Sequence, residues 1–272
     1  MTVTHLRETE LGRRFAARGS ALQEVSFDAP WTWLASGWRD LWAAPVVSCS
    51  YGALFAILAA FLSVGLFWQG LESLILPLSG GFLLIGPVVA IGLYETSRRL
   101  ENGESVDLLG VTQAALSNAG RIGFFAAILG FIYIVWLQLA FLLFMSFLGT
   151  DHLPPAKDFI PTLLFTPRGL GLLVTGTCVG GVLALLVFSM SVVSVPLLLM
   201  RKIDAVSAIL TSVGAVRNNP KPMLLWAALI AGFMSLGLAT MFVGFVLIFP
   251  LIGYATWHAY RDVIRDQALS YL

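Results

Sequence analysis

Long apolar runs restrict what this chain can fold into. About 20 apolar residues in a helix cross the roughly 30 Å hydrocarbon core of a bilayer, and a helix satisfies its own backbone groups in lipid. Four runs have the required length, and a fifth, 223–260, is long enough to divide near 237–240 into two shorter helices. The predicted spans cover residues 46–68, 73–97, 121–148, 169–200, 222–238 and 240–260. The sequence therefore predicts six membrane-spanning helices.

The composition supports this fold class. Hydrophobic residues make up 58% of the chain and charged residues 11%, whereas soluble proteins carry about 25% charged residues. Such a composition excludes a disordered chain, a soluble enzyme with a polar surface, and a nucleic-acid-binding protein that relies on basic patches. The expected fold is an all-α, polytopic transmembrane helical bundle whose partners are membrane lipids and membrane proteins.

The distribution of basic residues predicts the orientation. With six spans, all 16 Lys and Arg residues except Lys157 and Arg168 fall on one side of the membrane, which the positive-inside rule assigns to the cytoplasm. Five or seven spans would move Arg261 and Arg265 to the other side. We therefore expect a multi-pass protein of the bacterial inner membrane with both termini in the cytoplasm. Its parts are a tail over 1–30, one transmembrane domain over 31–264 and a second tail over 265–272.

Three segments are predicted to lie in the membrane surface as amphipathic helices. In segment 31–42 the apolar residues recur at helical spacing and form one aromatic face. They are Trp31, Leu34, Trp38, Leu41 and Trp42. Because tryptophan favours the headgroup region, we expect Trp31, Trp38 and Trp42 to be interfacial anchors, and Asp28 to cap the helix. Segment 204–217 has an aliphatic face and 105–116 a weaker one. The alternative is that all three are ordinary connectors.

An internal repeat is also predicted. The segment Gly-Phe-Leu-Leu-Ile-Gly-Pro at 81–87 aligns with Gly-Phe-Val-Leu-Ile-Phe-Pro at 244–250, and the register continues to Arg98 and Arg261. The fourth span carries a proline as well, Pro196. Three parallel copies of a surface helix followed by a hairpin of spans would account for the chain beyond residue 30.

These residues resemble a bacterial family of predicted six-span integral membrane proteins that is catalogued as a domain of unknown function. The resemblance rests on 37–41 (Gly-Trp-Arg-Asp-Leu), on 81–104 and on 204–258, which includes Asn219-Pro220 and Ala255-Thr256-Trp257-His258. A histidine often stands four residues before the position of His258 in that family, where this chain has Tyr254. The departure argues against a paired-histidine metal site. More distantly, the layout is similar to the membrane domain attached to some glycerophosphodiester phosphodiesterases.

Few polar side chains lie inside the predicted spans, where an ionisable group costs about 2.5–3.5 kcal/mol. Glu95 is interpreted as an ion-pair partner of Arg98 and Arg99, with a gating or ligand role as the alternative. Gln138 is interpreted as a helix-to-helix hydrogen bond, with a substrate contact as the alternative. His258, the best polar and aromatic candidate, is interpreted as an interfacial anchor.

The cysteines and the remaining histidine candidate do not indicate a metal site or a reaction. Cys49 and Cys178 stand in apolar runs without a second Cys or a His at metal-ligand spacing, and His152 in the loop 149–168 is a single imidazole beside acidic residues. We expect no catalytic residue, no metal and no cofactor.

Small residues indicate close helix packing in lipid. Gly176 and Gly180 form a GxxxG pair followed by Gly181, and Ala228 with Gly232 repeats the spacing in the fifth span. This surface can serve packing inside the bundle or contact with another protein. In the second span, Gly86-Pro87 predicts a kinked or interrupted helix.

Two functions remain open. The first is a non-enzymatic accessory, assembly or scaffold subunit that packs against a larger membrane complex, since the spans are uncharged and little of the chain lies outside them. The alternative is a transporter or pore for a small neutral or lipophilic solute. A polar path lined by Gln138, Ser189, Ser191 and Ser194 would favour transport.

Overall fold

The computed structural model describes residues 22–71, 74–117, 119–149 and 156–264. These residues form helices joined by short turns, and one isolated bridge pairs Leu22 with Ile264. In chain order the helices are α1 (Ala29–Ala43), α2 (Pro45–Trp68), α3 (Ile75–Leu84), α4 (Gly86–Val89), α5 (Ile91–Glu101), α6 (Leu108–Ser117), α7 (Ala119–Leu148), α8 (Ala156–Phe165), α9 (Pro167–Ser191), α10 (Ser194–Met200), α11 (Ala205–Asn218), α12 (Pro220–Ala239) and α13 (Phe245–Val263).

Four helical segments in the described residues are long and apolar enough to cross a membrane. They are Pro45–Trp68, Ile122–Leu148, Pro167–Met200 and Pro220–Ala239. They match four of the predicted spans to within a few residues, because an uninterrupted apolar helix is set by local sequence. The long predicted span 223–260 divides as expected, since α12 ends at Ala239 and α13 begins at Phe245.

The other two predicted spans differ from simple apolar helices. Segment 73–97 falls in three short helices, α3 to α5, which meet at Ile85 and Ala90. Pro87 lacks a backbone N–H and glycine is a poor helix former, so the continuous ladder is lost where Gly86-Pro87 stands. α13 is continuous through Pro250, but its second half carries Tyr, Thr, His, Arg and Asp residues that lower its hydropathy. The two segments aligned as a repeat therefore have different helical structures.

The last helix, α13, is the central element of the fold. Most of its residues are buried, and it packs against α1, α2, α5 and α12. Two glycines allow the closest approaches. A Cβ on Gly37 of α1 would stand 2.7 Å from the backbone nitrogen of Ala255, and a Cβ on Gly52 of α2 would overlap the carbonyl oxygen of Val246.

Both ends of the described chain meet at one end of the bundle, here called the near end. The backbone nitrogen of Gln23 donates to the carbonyl of Val263 at 2.9 Å. The buried Asn219, just before α12, accepts from the Val25 nitrogen and donates to the Gln23 carbonyl, both at 2.9 Å. The opposite end, which carries α8, is called the far end. Since Asn219 and Val263 both lie at the near end, α12 and α13 run antiparallel.

α1 forms where the surface helix was predicted, with two corrections. Leu41 has no exposed surface and belongs to an inward face with Trp33, Gly37 and Asp40, whereas Trp31, Trp38 and Trp42 are exposed on the other side. Asp28 stands at the N-cap without a side-chain hydrogen bond to the helix. Spacing alone placed Leu41 with the tryptophans because a helix turns by 100° per residue and the two faces adjoin.

Candidate functional site

A polar cluster joins α1, α5 and α13 at the near end. The Asp40 carboxylate accepts a hydrogen bond from the Ser97 hydroxyl at 2.5 Å, and the same oxygen lies 2.8 Å from Nε2 of His258. His258 Nδ1 lies 4.0 Å from a carboxylate oxygen of Glu101, which pairs with Arg261 at 3.3 Å. The cluster therefore links three helices through one shared carboxylate.

Glu95 lies beside this cluster in a separate ion-pair network. It is 4% exposed, and its carboxylate oxygens accept from Nε of Arg98 and Nε of Arg99, each at 2.8 Å. Arg98 also binds Glu104 at 2.9 Å. The hydrogen bonds that the Arg98 guanidinium donates to Glu95 and Glu104 raise the pKa of Arg98 above its ordinary value. Glu95 thus contacts the two arginines with which the sequence paired it.

The aromatic neighbours that the sequence grouped with His258 point elsewhere. The Tyr254 hydroxyl is 2.8 Å from Oγ of Ser48 on α2, and Trp257 has no exposed surface. The partners that His258 does contact, Asp40 and Glu101, were not singled out in the sequence. Asp40 is 218 positions from His258 along the chain, so the sequence does not indicate that the two are in contact. The one signal for an inward contact is that Asp40 lies on the opposite face of α1 from the exposed tryptophans.

A second missed residue ties α1 to α13. The indole nitrogen of Trp33 donates to Oδ2 of Asp262 at 2.9 Å, and its ring packs edge-on against Trp226 of α12 at 5.9 Å. Trp33, Gly37 and Asp40 recur at spacings of four and three, so the whole inward face of α1 engages α13. The sequence favoured the three exposed tryptophans and overlooked this one.

A large apolar groove lies between α9 and α12, with α13 behind it. Its volume is about 810 Å³, and its walls reach from Phe144 and Phe159 at the far end to Tyr94 and Thr256 at the near end. The hydroxyls of Thr256 and Ser235 in its wall donate to carbonyls of their own helices, so they offer little to a polar solute. Of the residues predicted for a polar path, only Ser191 lines the groove.

The small-residue surfaces face this groove. Gly176, Gly180, Gly181 and Ala228 line it, and an added Cβ at Gly176, Gly181 or Gly232 would meet no described atom within 4 Å. At Gly180 a Cβ would stand 2.9 Å from the ring of Trp136. The structure therefore brings these glycines beside open space and one indole, whereas Gly37, Gly52 and Gly169 lie against the backbone of a neighbouring helix.

Gln138 lies away from both sites, on the outer face of α7. Its side chain is exposed, and the large apolar residues at matching helical spacing are exposed with it. They are Phe124, Phe131, Ile134, Phe141 and Leu142. Within the most apolar 18-residue stretch of α7, only 6% is buried against the rest of the chain.

The polar groups show no metal-binding geometry. Within the described ranges, no three His, Cys, Asp or Glu residues are grouped so as to hold an ion. Cys49 is half-buried on α2 and Cys178 is exposed on α9. His152 lies outside the described residues.

Comparison with known proteins gives a match over part of the chain. Residues 75–200 match the model of a family described as "Predicted integral membrane protein (DUF2189)", whose function is unknown. This confirms the resemblance to a family of predicted integral membrane proteins of unknown function; the matched range contains segment 81–104 but neither 37–41 nor 204–258. No curated protein matches the chain, and no solved structure matches it. The match and the four apolar helices identify an integral membrane protein.

Proposed function

We propose that this protein is a non-enzymatic accessory subunit that docks onto a larger membrane complex through the outer face of α7. The observation that carries the proposal is the exposed side chain of Gln138. It stands three residues from the middle of the segment Ile122–Leu148, about 5 Å along the helix axis.

An exposed amide at this depth is unfavourable in lipid alone. Hydrocarbon offers no hydrogen-bond partner, so the amide would lose the bonds that it makes in water. A helix of another protein can supply them, at about 1–2 kcal/mol for one interhelical bond. Phe131, Ile134, Gln138 and Phe141 follow spacings of three, four and three, the pattern of a helix-packing seam with one polar position.

The same proposal includes six spans in the bacterial inner membrane, with both termini in the cytoplasm. The pairing of Leu22 with Ile264 supports an even number of crossings, because it holds the two ends together. α13 runs antiparallel to α12 and is long enough, at about 28 Å, to cross with it. The basic residues support the cytoplasmic assignment.

We also propose that the protein catalyses no reaction. Asp40, Ser97 and His258 are the groups most like a reactive set, but Asp40 binds both of the others and Ser97 has no exposed surface. This arrangement suits a structural tie between helices.

The proposal is tested by native purification of the protein in a mild detergent, with identification of the proteins that accompany it. Gln138→Leu should reduce the recovered partner about five- to thirty-fold, as expected for the loss of 1–2 kcal/mol. The matched control is Gln69→Leu, because Gln69 is an exposed glutamine just beyond the end of α2. This variant should retain the partner.

Two results would contradict the accessory role. One is that wild-type protein carries no stoichiometric partner, or forms only an assembly of its own copies. The other is that Gln138→Leu and Gln69→Leu recover the partner equally.

Transport of a lipophilic solute is the second candidate, and the apolar groove is the observation that favours it. If this function is correct, vesicles containing the protein should pass a lipophilic fluorescent solute, and Gly176→Leu should slow its passage by filling the groove. Equal passage in the wild type, in Gly176→Leu and in empty vesicles would remove this candidate.

A further inference from the structure

We propose that the groove between α9 and α12 binds one hydrocarbon chain of a phospholipid with an anionic headgroup, and that the headgroup lies at the near end. This inference goes beyond the accessory role and does not depend on it. It assigns a ligand to a cavity that lies apart from the outer face of α7.

The groove is long enough for a hydrocarbon chain. On α9 the lining residues run from Leu172 to Val192, about 30 Å at 1.5 Å per residue, which equals the hydrocarbon thickness of a bilayer. A lipid hydrocarbon chain spans about half of the bilayer core, so the groove is long enough to hold one alongside α9.

The walls suit hydrocarbon. Phe55, Trp136, Phe188 and Phe249 line the groove beside glycine and alanine, and the indole nitrogen of Trp136 is turned away to the Pro77 carbonyl at 2.7 Å. For a lipid already in the bilayer, the gain on entering such a space comes from packing of the hydrocarbon chain against the walls.

Tyr94 indicates which end receives the polar part. This tyrosine lines the near end of the groove and is only 2% exposed. Its hydroxyl has no hydrogen-bond partner among the described residues, and a buried phenol normally finds one. An ester or glycerol oxygen of a lipid whose chain fills the groove would provide an acceptor there.

Basic side chains at the same end favour an anionic headgroup. Lys221 is exposed in the first turn of α12, one turn before the groove residue Leu224. Lys202, just before α11, and Arg217, in the last turn of α11, are also exposed. Each lysine or arginine near the membrane surface favours an anionic lipid by about five-fold.

The experiment uses the full chain in phosphatidylcholine vesicles that contain a small fraction of phosphatidylglycerol with a photoreactive diazirine in one acyl chain. After illumination, adducts should concentrate on peptides of α9, α12 and α5. Gly176→Leu places a side chain in the groove, with a Cβ that meets no described atom within 4 Å, and should lower these adducts at least five-fold. Gly232→Leu on α12 also meets open space but lies outside the groove lining, so it should label like the wild type.

Two milder variants test the polar end. Tyr94→Phe removes only the hydroxyl, and Lys221→Gln removes only a charge, so each should lower labelling by the phosphatidylglycerol probe a few-fold. A phosphatidylcholine probe with the same diazirine chain should label the groove less than phosphatidylglycerol and should not respond to Lys221→Gln.

Three outcomes would overturn the inference: equal labelling of the groove by the two probes, adducts spread evenly over the exposed faces of α2 and α7, or labelling unaffected by Gly176→Leu. If Gly176→Leu does not fold, Ala184→Leu fills the same groove and replaces it.

Discussion

At the scale of single residues, the glycines within the helices serve different purposes in this bundle. Gly52 lets α2 lie against the backbone of α13, and Gly37 does the same for α1. Gly65 on α2 and Gly176 on α9 have no described atom within 4 Å of an added Cβ. Of these four glycines, only Gly52 and Gly37 are required for helix packing, because a side chain at either position would force two backbones apart.

This difference predicts the effect of enlarging each glycine. Gly52→Val should destabilise the bundle by about 1–3 kcal/mol or more through overpacking. Gly65→Val on the same helix should change stability by less than about 0.5 kcal/mol. Thermal unfolding in detergent, followed by the fraction of monodisperse protein left after heating, measures both. Equal unfolding temperatures for the two variants would show that α2 and α13 are not in close contact.

At the scale of elements, α1 and α11 each expose large apolar residues on their outer face. α11 buries Ala205, Ala208 and Ala215 against the bundle while Val206 and Leu210 are exposed. α1 likewise exposes Trp31, Trp38 and Trp42. Small residues allow close contact with the protein, and the outward residues match a lipid interface.

The N-terminus of α11 gives a prediction with a pH dependence. The Ser207 hydroxyl and backbone N–H hydrogen-bond the Asp204 carboxylate and lower the pKa of Asp204; the backbone bond is 2.9 Å long. Because the folded-state pKa is depressed, this stabilisation is present above the ordinary aspartate pKa of about 3.9 and is lost as pH falls through the folded value. Asp204→Ala should cost about 1 kcal/mol at neutral pH.

Hydrogen exchange of the first amides of α11 at neutral and acidic pH measures this effect. Asp204→Asn is the matched control, since asparagine caps a helix as well as aspartate does but does not titrate. It should protect these amides equally at both pH values. Similar protection in Asp204→Ala and the wild type at neutral pH would contradict the capping role.

At the scale of the whole molecule, the contacts at the near end connect the first and the last described segments of the chain. The strand-like pair of Leu22 and Ile264, the three hydrogen bonds of Asn219, and the Asp40–His258 contact all lie there. Residues 22 and 264 therefore lie at the same end of the bundle, which supports the proposed even number of crossings between them.

Cysteine labelling tests this topology in intact cells. In a background where Cys49 and Cys178 are replaced by alanine, Lys157→Cys should react with a membrane-impermeant maleimide added from outside. Ser105→Cys should react only after permeabilisation; position 105 is exposed and avoids the neighbouring Gly103, whose φ of 67° disfavours a side chain. The reverse pattern, or labelling of both positions from one side, would contradict an even count with cytoplasmic ends.

The sequence by itself determined the class of protein and the bounds of its long helices. An apolar helix in lipid satisfies its own backbone groups, so its position depends only on local length and composition, and Pro45–Trp68 or Pro220–Ala239 could be located without knowledge of any neighbour. The same local reasoning indicated an interruption at Gly86-Pro87, since proline and glycine act on their own segment.

Only the tertiary structure decided which face of each helix meets the protein. Lipid is as apolar as leucine, so hydrophobic periodicity does not separate an inward face from an outward one. For that reason the sequence grouped Leu41 with the exposed tryptophans, overlooked Trp33, and could not distinguish Gly52 from Gly176. The Asp40–His258 contact and the groove between α9 and α12 arise from helices far apart in the chain, and their existence follows from packing alone.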